Sequence, residues 1–331
     1  MNIAVERITL KDPTELALTL DDRDVPLIVS GALEGWRALA WTPSELARRL
    51  PQLEVEYKIS TSNAHPDLRQ PSADAIFRVE RGTFAEFMRL ISTGPEETRS
   101  RYLFSGLEKY LIRRRDGRSH IDPDLAPLLA DLNIPPFFHE SQLHAAWCWF
   151  SARGVRTWLH YDQNGCHNLN AQVTGSKRCW LYAPDELSRL HLFSLGGGNP
   201  ALNCSEIDVD APAPQFAGFA AVPTFEAVLL PGDLLFIPAW WFHTFLHVGD
   251  FNSNVNFWWK PANPRWNVVA ARQAVLDAAA TAALDEGHPN TLACLQAMDR
   301  AALSRRFGTP IPVPASPSTT HGLATSPLPQ L

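Results

Sequence analysis

The sequence predicts a mainly β fold with flanking helices, a double-stranded β-helix or jelly roll, and three observations carry that expectation. Short aromatic runs recur between Ala145 and Lys260, eight of the 11 tryptophans of the 331-residue chain lie there, and turn formers separate most of the runs. Large rings suit a pleated, half-buried surface, and Gly, Pro, Asn and Asp supply its turns. Eight antiparallel strands must hide their edges by packing as two sheets or by closing, and a jelly roll is a common solution.

The elements before this block read as mixed α/β over residues 1–144. Pro26-Leu27-Ile28-Val29-Ser30 is a strand closed by Gly31. Thr42-Pro43-Ser44-Glu45 has the pattern of a capping box with Pro at the first helical position, opening a helix through Arg49. Leu53, Val55, Tyr57 and Ile59 alternate with Glu54, Glu56 and Lys58, the period of a half-exposed strand. Thr83-Phe84-Ala85-Glu86 starts a second helix to about Ile91, and Arg101 to Phe104 is a further strand. The run Arg113-Arg114-Arg115 with Arg118 reads as a solvated loop.

The jelly-roll core is placed at residues 145–265. Its strands are Trp147 to Phe150, Val155 to Tyr161, Leu169 to Val173, Arg178 to Tyr182, Ala227 to Leu230, Leu234 to Ile237, Thr244 to Val248 and Asn254 to Trp259. Turn signals at Ala152-Arg153-Gly154, Thr174-Gly175-Ser176-Lys177, Pro231-Gly232-Asp233 and Gly249-Asp250 divide them. Residues 266–308 become helical in pattern, and such a pair can supply a dimer interface. Residues 309–331 hold six of the 27 prolines and no charged side chain, the composition of a flexible or polyproline tail.

Composition bounds the function. A hydrophobic fraction of 45% with 19% charged residues excludes a wholly disordered chain. A net charge of −6 gives no overall positive field for nucleic acid or anionic lipid, so neither is expected as a partner. Five cysteines, an odd number without a Cys-x-x-Cys pair, point to reduced thiols and a cytoplasmic location. Met1 to Leu20 mixes Glu6, Arg7, Lys11, Asp12 and Glu15 among apolar residues and does not read as a signal peptide.

His-x-Asp on a strand places two ligands on one face, because side chains at i and i+2 point the same way. The chain has three such pairs, His65/Asp67, His120/Asp122 and His160/Asp162. The first sits in a loop with Pro66, and in the second Asp122 reads as a cap. His160-Tyr161-Asp162 ends an aromatic strand inside the β block, and His243 is the best third ligand. Two imidazoles and one carboxylate leave metal positions open, which suits non-haem Fe(II) and oxygen chemistry. His247 reads as an ordinary strand histidine, and His167 stays open between pocket and core.

Thr157-Trp158-Leu159-His160-Tyr161-Asp162, Asn168 to Arg178, Gly232-Asp233 to His243, and Asn256-Phe257-Trp258-Trp259 closely resemble the motifs of the JmjC or cupin-8-type 2-oxoglutarate oxygenases. The nearest likeness is to the branch of the asparaginyl hydroxylase called factor inhibiting hypoxia-inducible factor. The resemblance implies one oxygenase domain over residues 1–265. It implies that His160, Asp162 and His243 bind Fe(II) and that Lys177 pairs with the distal carboxylate of 2-oxoglutarate, helped by Thr157 and Tyr102. Asn168 and Asn256 match positions lining the cosubstrate end. The implied reaction consumes O2 and hydroxylates a C–H bond, with release of succinate and CO2. A protein or peptide side chain is the expected substrate. The alternatives are a small metabolite, a modified RNA base, or a non-catalytic cupin-like binding protein. The loop Gly165-Cys166-His167 departs from the resembled pattern.

Overall fold

The computed structural model describes residues 2–10, 15–16, 20, 23–61, 76–104, 112–115, 118–134, 143–162, 166–192 and 203–259. The expected helices at 266–308, the Pro-rich tail at 309–331 and the His65/Asp67 pair lie outside the described residues.

The N-terminal part supplies strands β1 (Asn2–Ala4), β2 (Glu6–Thr9) and β3 (Leu27–Ser30), helix α1 (Pro43–Arg49), strands β4 (Glu54–Ser60) and β5 (Phe77–Thr83), and helix α2 (Phe84–Ser92). Strands β6 (Tyr102–Phe104), β7 (Ile112–Arg115) and β8 (Arg118–His120) follow. Both helices start where their caps predict. Thr42 accepts the Glu45 N–H, and Thr83 with Glu86 forms a reciprocal capping box. The arginine run is not a loop: Arg113 pairs with His120 and Arg115 with Arg118 in a β-hairpin. In the sequence Asp116-Gly117 stands between its strands, a dipeptide that favours two-residue hairpins. Asp122 accepts the Asp124 N–H at 2.9 Å, capping a turn and not a metal.

The barrel strands are β9 (Leu143–Ala152), β10 (His167–Thr174), β11 (Lys177–Tyr182), β12 (Thr224–Leu229), β13 (Leu234–Ile237), β14 (Phe242–His247) and β15 (Phe251–Trp259). The remaining candidate, Val155 to Tyr161, runs along β14 through isolated bridges, Arg156 to Leu246 and His160 to His243. The two sheets are ordered β2-β3-β13-β10-β15-β9-β6-β4-β5 and β1-β12-β11-β14. Eight strands in two facing sheets make the expected jelly roll, extended at its edges by N-terminal strands.

Alternation assigns the faces of the larger sheet. Cys148, Phe150, Leu169, Ala171, Phe236, Val255 and Phe257 point away from the barrel into the main core, where α2 contributes Phe84, Phe87, Met88 and Ile91. Phe84 meets Phe150 edge-on at 5.3 Å, and Trp36 meets Phe257 at 6.2 Å. Burying each such ring stabilises the fold by about 1.5–3 kcal/mol. This main core lies outside the barrel; inside it, a smaller apolar cluster with Ile28, Leu181, Leu235, Ile237 and Phe245 shares the space with the buried polar residues of β10 and β15.

Candidate metal centre

Four backbone features set the metal ligands. Gly154, at φ +84°, turns the chain out of β9, and its N–H reaches His247 O at 2.8 Å. The strand then runs beside β14, with Thr157 N–H on Phe245 O at 3.0 Å. His160 and His243 exchange both backbone hydrogen bonds, at 3.1 and 2.7 Å. Four residue steps from Arg156 to His160 oppose three from Leu246 to His243, so one extra residue bulges this strand. A bulge re-aims a side chain and adds twist. The outer edge is held by Asn203 to Ser205, through Ser205 N–H to Leu159 O at 2.9 Å and Tyr161 N–H to Asn203 O at 3.1 Å. Trp240, at φ +71° in the turn before β14, is a non-glycine residue in the left-handed region. That conformation costs about 1–2 kcal/mol, and packing on Tyr161 at 5.5 Å helps to hold it.

His160, Asp162 and His243 form a group whose ligand atoms all lie within 4.8 Å of one another. Each histidine Nε2 is 3.9 Å from Asp162 Oδ1, and the two rings are 4.4 Å apart. His160 Nδ1 lies 2.7 Å from Trp158 O, and His243 Nδ1 lies 3.1 Å from Trp241 O. A carbonyl accepts only, so each Nδ1 carries the proton and each Nε2 keeps its lone pair for a metal. Burial, then the neighbouring His160, lowers the His243 pKa to about 4, which keeps that imidazole neutral. Asn168 Nδ2 donates to Asp162 Oδ2 at 2.7 Å, leaving Oδ1 facing the histidines. His243 is buried, whereas His160 and Asp162 stay partly open. The donor set therefore fits a divalent transition metal with coordination positions to spare.

Lys177, the first residue of β11, is 2% exposed. It donates to Asn254 Oδ1, and its ammonium sits 5.2 Å from the Phe245 ring centre. Among the described residues no carboxylate pairs with it, and burial lowers its pKa from 10.5 to about 7. A buried cation without a counter-charge is costly, so this end of the barrel fits an incoming carboxylate. Thr157 sits on the backbone of the same Phe245: its Oγ1 accepts the Phe245 N–H at 2.8 Å, and its O–H has no acceptor among the described residues. Tyr102 opens β6, whose Leu103 pairs with Ser151, placing its backbone near this end; its side chain lies outside the described residues.

Asn168 and Asn256 are both inside the barrel, Asn256 Nδ2 donating to Asn168 Oδ1 at 2.9 Å. The sequence reading missed Asn254, whose Nδ2 donates to Asn256 Oδ1 at 2.5 Å. It missed too the buried contact between Ser151 Oγ and His247 Nδ1, across from Lys177. The available signal was the alternation Asn252-x-Asn254-x-Asn256, polar on the face that meets the other sheet. His167 belongs to the outer core: it packs on Phe236 and Trp259 at 5.2 Å each, and Nδ1 accepts the Ala239 N–H. Trp241 packs edge-on against Phe225, and Trp240 joins the cluster outside the smaller sheet.

Comparison with known proteins adds the lineage. The chain is 32% identical over 226 residues to tRNA wybutosine-synthesizing protein 5 of Danio rerio, covering 66% of this chain and 64% of that protein. It is 30% identical over 240 residues to the Mus musculus protein of the same name, covering 71% of each. It is 33% identical over 166 residues to lysine-specific demethylase 8 of Xenopus tropicalis, covering 46% of this chain and 35% of that protein. The family model described as a cupin-like domain matches residues 19–264, from the N-terminal segment through the last barrel strand. The double-stranded β-helix and the match that spans it agree, and the chain belongs to the family of cupin-like domains.

Proposed function

We propose that this chain is an Fe(II)- and 2-oxoglutarate-dependent oxygenase that hydroxylates a C–H bond on a modified base of tRNA. The observation that carries the oxygenase reading is the coexistence of the His160, Asp162 and His243 group with a buried Lys177 that has no carboxylate partner among the described residues. Iron, when bound, supplies the redox chemistry by which one oxygen atom of O2 enters the C–H bond and the other enters succinate as CO2 leaves. The side chains hold the reactants: His160 and His243 offer Nε2, Asp162 offers Oδ1, and Lys177 takes the distal carboxylate with the Thr157 O–H as a second donor. Three buried free thiols, Cys148, Cys179 and Cys204, suit a reducing cytoplasm.

The barrel wall and the relatives support this substrate class. Trp147 and Trp149 stack at 5.2 Å and 12° on the inward face of β9. Trp258 lies opposite Asn168 in the strand register, and it and Trp149 are only partly buried. A base stacked on such a ring gains about 1–3 kcal/mol. The arginine hairpin adjoins this wall, with Ile112 on Ala146 and Arg113 on Ala145. Phosphate contacts are local, so a net charge of −6 does not oppose them. The names of the two wybutosine-synthesizing relatives point the same way, and the expectation of a protein substrate without nucleic acid gives way to this reading. The demethylase relative favours the second reading, a protein side chain. Likeness to the asparaginyl hydroxylase branch rests on the motifs alone.

The test is succinate release with Fe(II), 2-oxoglutarate and either total tRNA or a pool of peptides. The expected result is at least tenfold stimulation by tRNA over the substrate-free rate, lost in His243→Ala. Stimulation by peptides alone would reverse the substrate assignment.

A further inference from the structure

The inward positions of β15 are Asn252, Asn254 and Asn256, and those of β10 are Asn168, Asn170 and Gln172, all buried. The facing surfaces of two packed sheets are ordinarily apolar. Three of these amides form one unbroken line from the cosubstrate seat to the metal ligand. Lys177 Nζ donates to Asn254 Oδ1, Asn254 Nδ2 to Asn256 Oδ1, Asn256 Nδ2 to Asn168 Oδ1, and Asn168 Nδ2 to Asp162 Oδ2.

The two ends fix every amide between them. An ammonium only donates, so Asn254 must present its oxygen; a carboxylate only accepts, so Asn168 must present its nitrogen. Turning over one amide would set like against like at two buried contacts. The first bond is charge-assisted, and hydrogen bonds in such a line polarise one another.

We propose that Asn254 is a positioning residue that couples the Lys177 seat to Asp162. An anion on the ammonium neutralises it and weakens its bond to Asn254. The weakening passes through Asn256 and Asn168, Asp162 Oδ2 loses less electron density to its donor, and Oδ1 becomes the better metal ligand. The proposal rests on the metal and cosubstrate reading above and adds to it a route by which an occupied seat tightens metal binding.

Co(II) and glutarate test it without turnover: glutarate has the length of 2-oxoglutarate and lacks the keto group, and Co(II) binding is read from its visible spectrum. In the unaltered protein saturating glutarate should raise Co(II) affinity, and Co(II) should raise glutarate affinity by the same factor. In Asn254→Leu both ligands should still bind, with that factor smaller by about fivefold or more. Direct contact between glutarate and metal is common to both proteins, so the difference isolates what travels through Asn254. A merely structural Asn254 would shift both affinities and leave the factor unchanged, which overturns the coupling alone. Unaltered protein that binds neither Co(II) nor glutarate overturns the underlying reading as well. Should Asn254→Leu fail to fold, Asn254→Asp sets a carboxylate on Lys177 at nearly constant volume. It also removes the donor to Asn256, so the factor by which saturating glutarate and Co(II) raise each other's affinity should again shrink about fivefold or more, and an unchanged factor overturns the proposal.

Discussion

Lys177 is held as a buried charge that an incoming anion, or loss of its own proton, relieves. Burial lowers its pKa from 10.5 to about 7, while the unfolded chain keeps the proton up to 10.5. From pH 7 upward the unfolded state therefore binds more protons, and the stability of the ligand-free protein rises with pH. Above pH 9 the buried thiols oppose this: Cys179 and Cys204, pushed up to about 12 by burial, stay protonated in the fold when the unfolded thiols ionise. The Lys177 contribution is thus read below pH 9. The denaturation midpoint in urea should climb from pH 7 to pH 8.5, and Lys177→Met should remove the climb and be the more stable protein at pH 7. A flat profile, or a less stable Lys177→Met, would show that the ammonium is not strained. The neighbouring prediction concerns Asn168, which orients Asp162 without touching the metal. Asn168→Leu should lower Co(II) affinity about 10–100-fold in a folded protein, because an Asp162 left free to turn loses more than its Oδ1 gains in electron density when the donor is removed.

At the level of elements, the turn from β10 to β11 carries Lys177. Gly175 has φ +70°, and a Cβ there would collide with Phe251 O and Asn252 Oδ1. Gly249 approaches from the other loop, where its own Cβ would come within 2.8 Å of Gly175 Cα. Gly175→Ala should therefore destabilise by about 1–3 kcal/mol or more. Gly218→Ala, with negative φ and no atom within 4 Å of its Cβ, should stay within about 0.5 kcal/mol. Equal melting temperatures for the two variants would contradict the close approach. The barrel strands were readable because alternating rings and turn formers are local signals, and His160, Asp162 and His243 followed from spacing plus family likeness. The short edge strands were not: β2 carries Glu6 and Arg7, and β5 carries Arg78, Glu80 and Arg81, so neither shows clean alternation. Asn254 was hidden for another reason. Asn is depleted in strands and reads as a turn signal, and its value here comes from a lysine 77 positions away.

Across the whole molecule, the main apolar core and the chemistry lie on opposite faces of one sheet. The outer face of the larger sheet joins α2, Trp36 and Trp41 in the main hydrophobic cluster, and the inner face carries the amides and tryptophans of β9, β10 and β15 with Leu235 and Ile237 of β13. Inner-face residues can therefore vary without emptying the main core, which is how one barrel can serve different substrates. The same separation makes the site assignment testable in protein that stays folded. The most direct measurement is anaerobic addition of Fe(II) and 2-oxoglutarate while recording the visible charge-transfer band of the chelate. The band should appear at one iron per chain and vanish in the His160→Ala/Asp162→Ala double variant. No band in the folded protein, or a band that survives in that variant, would contradict the assignment.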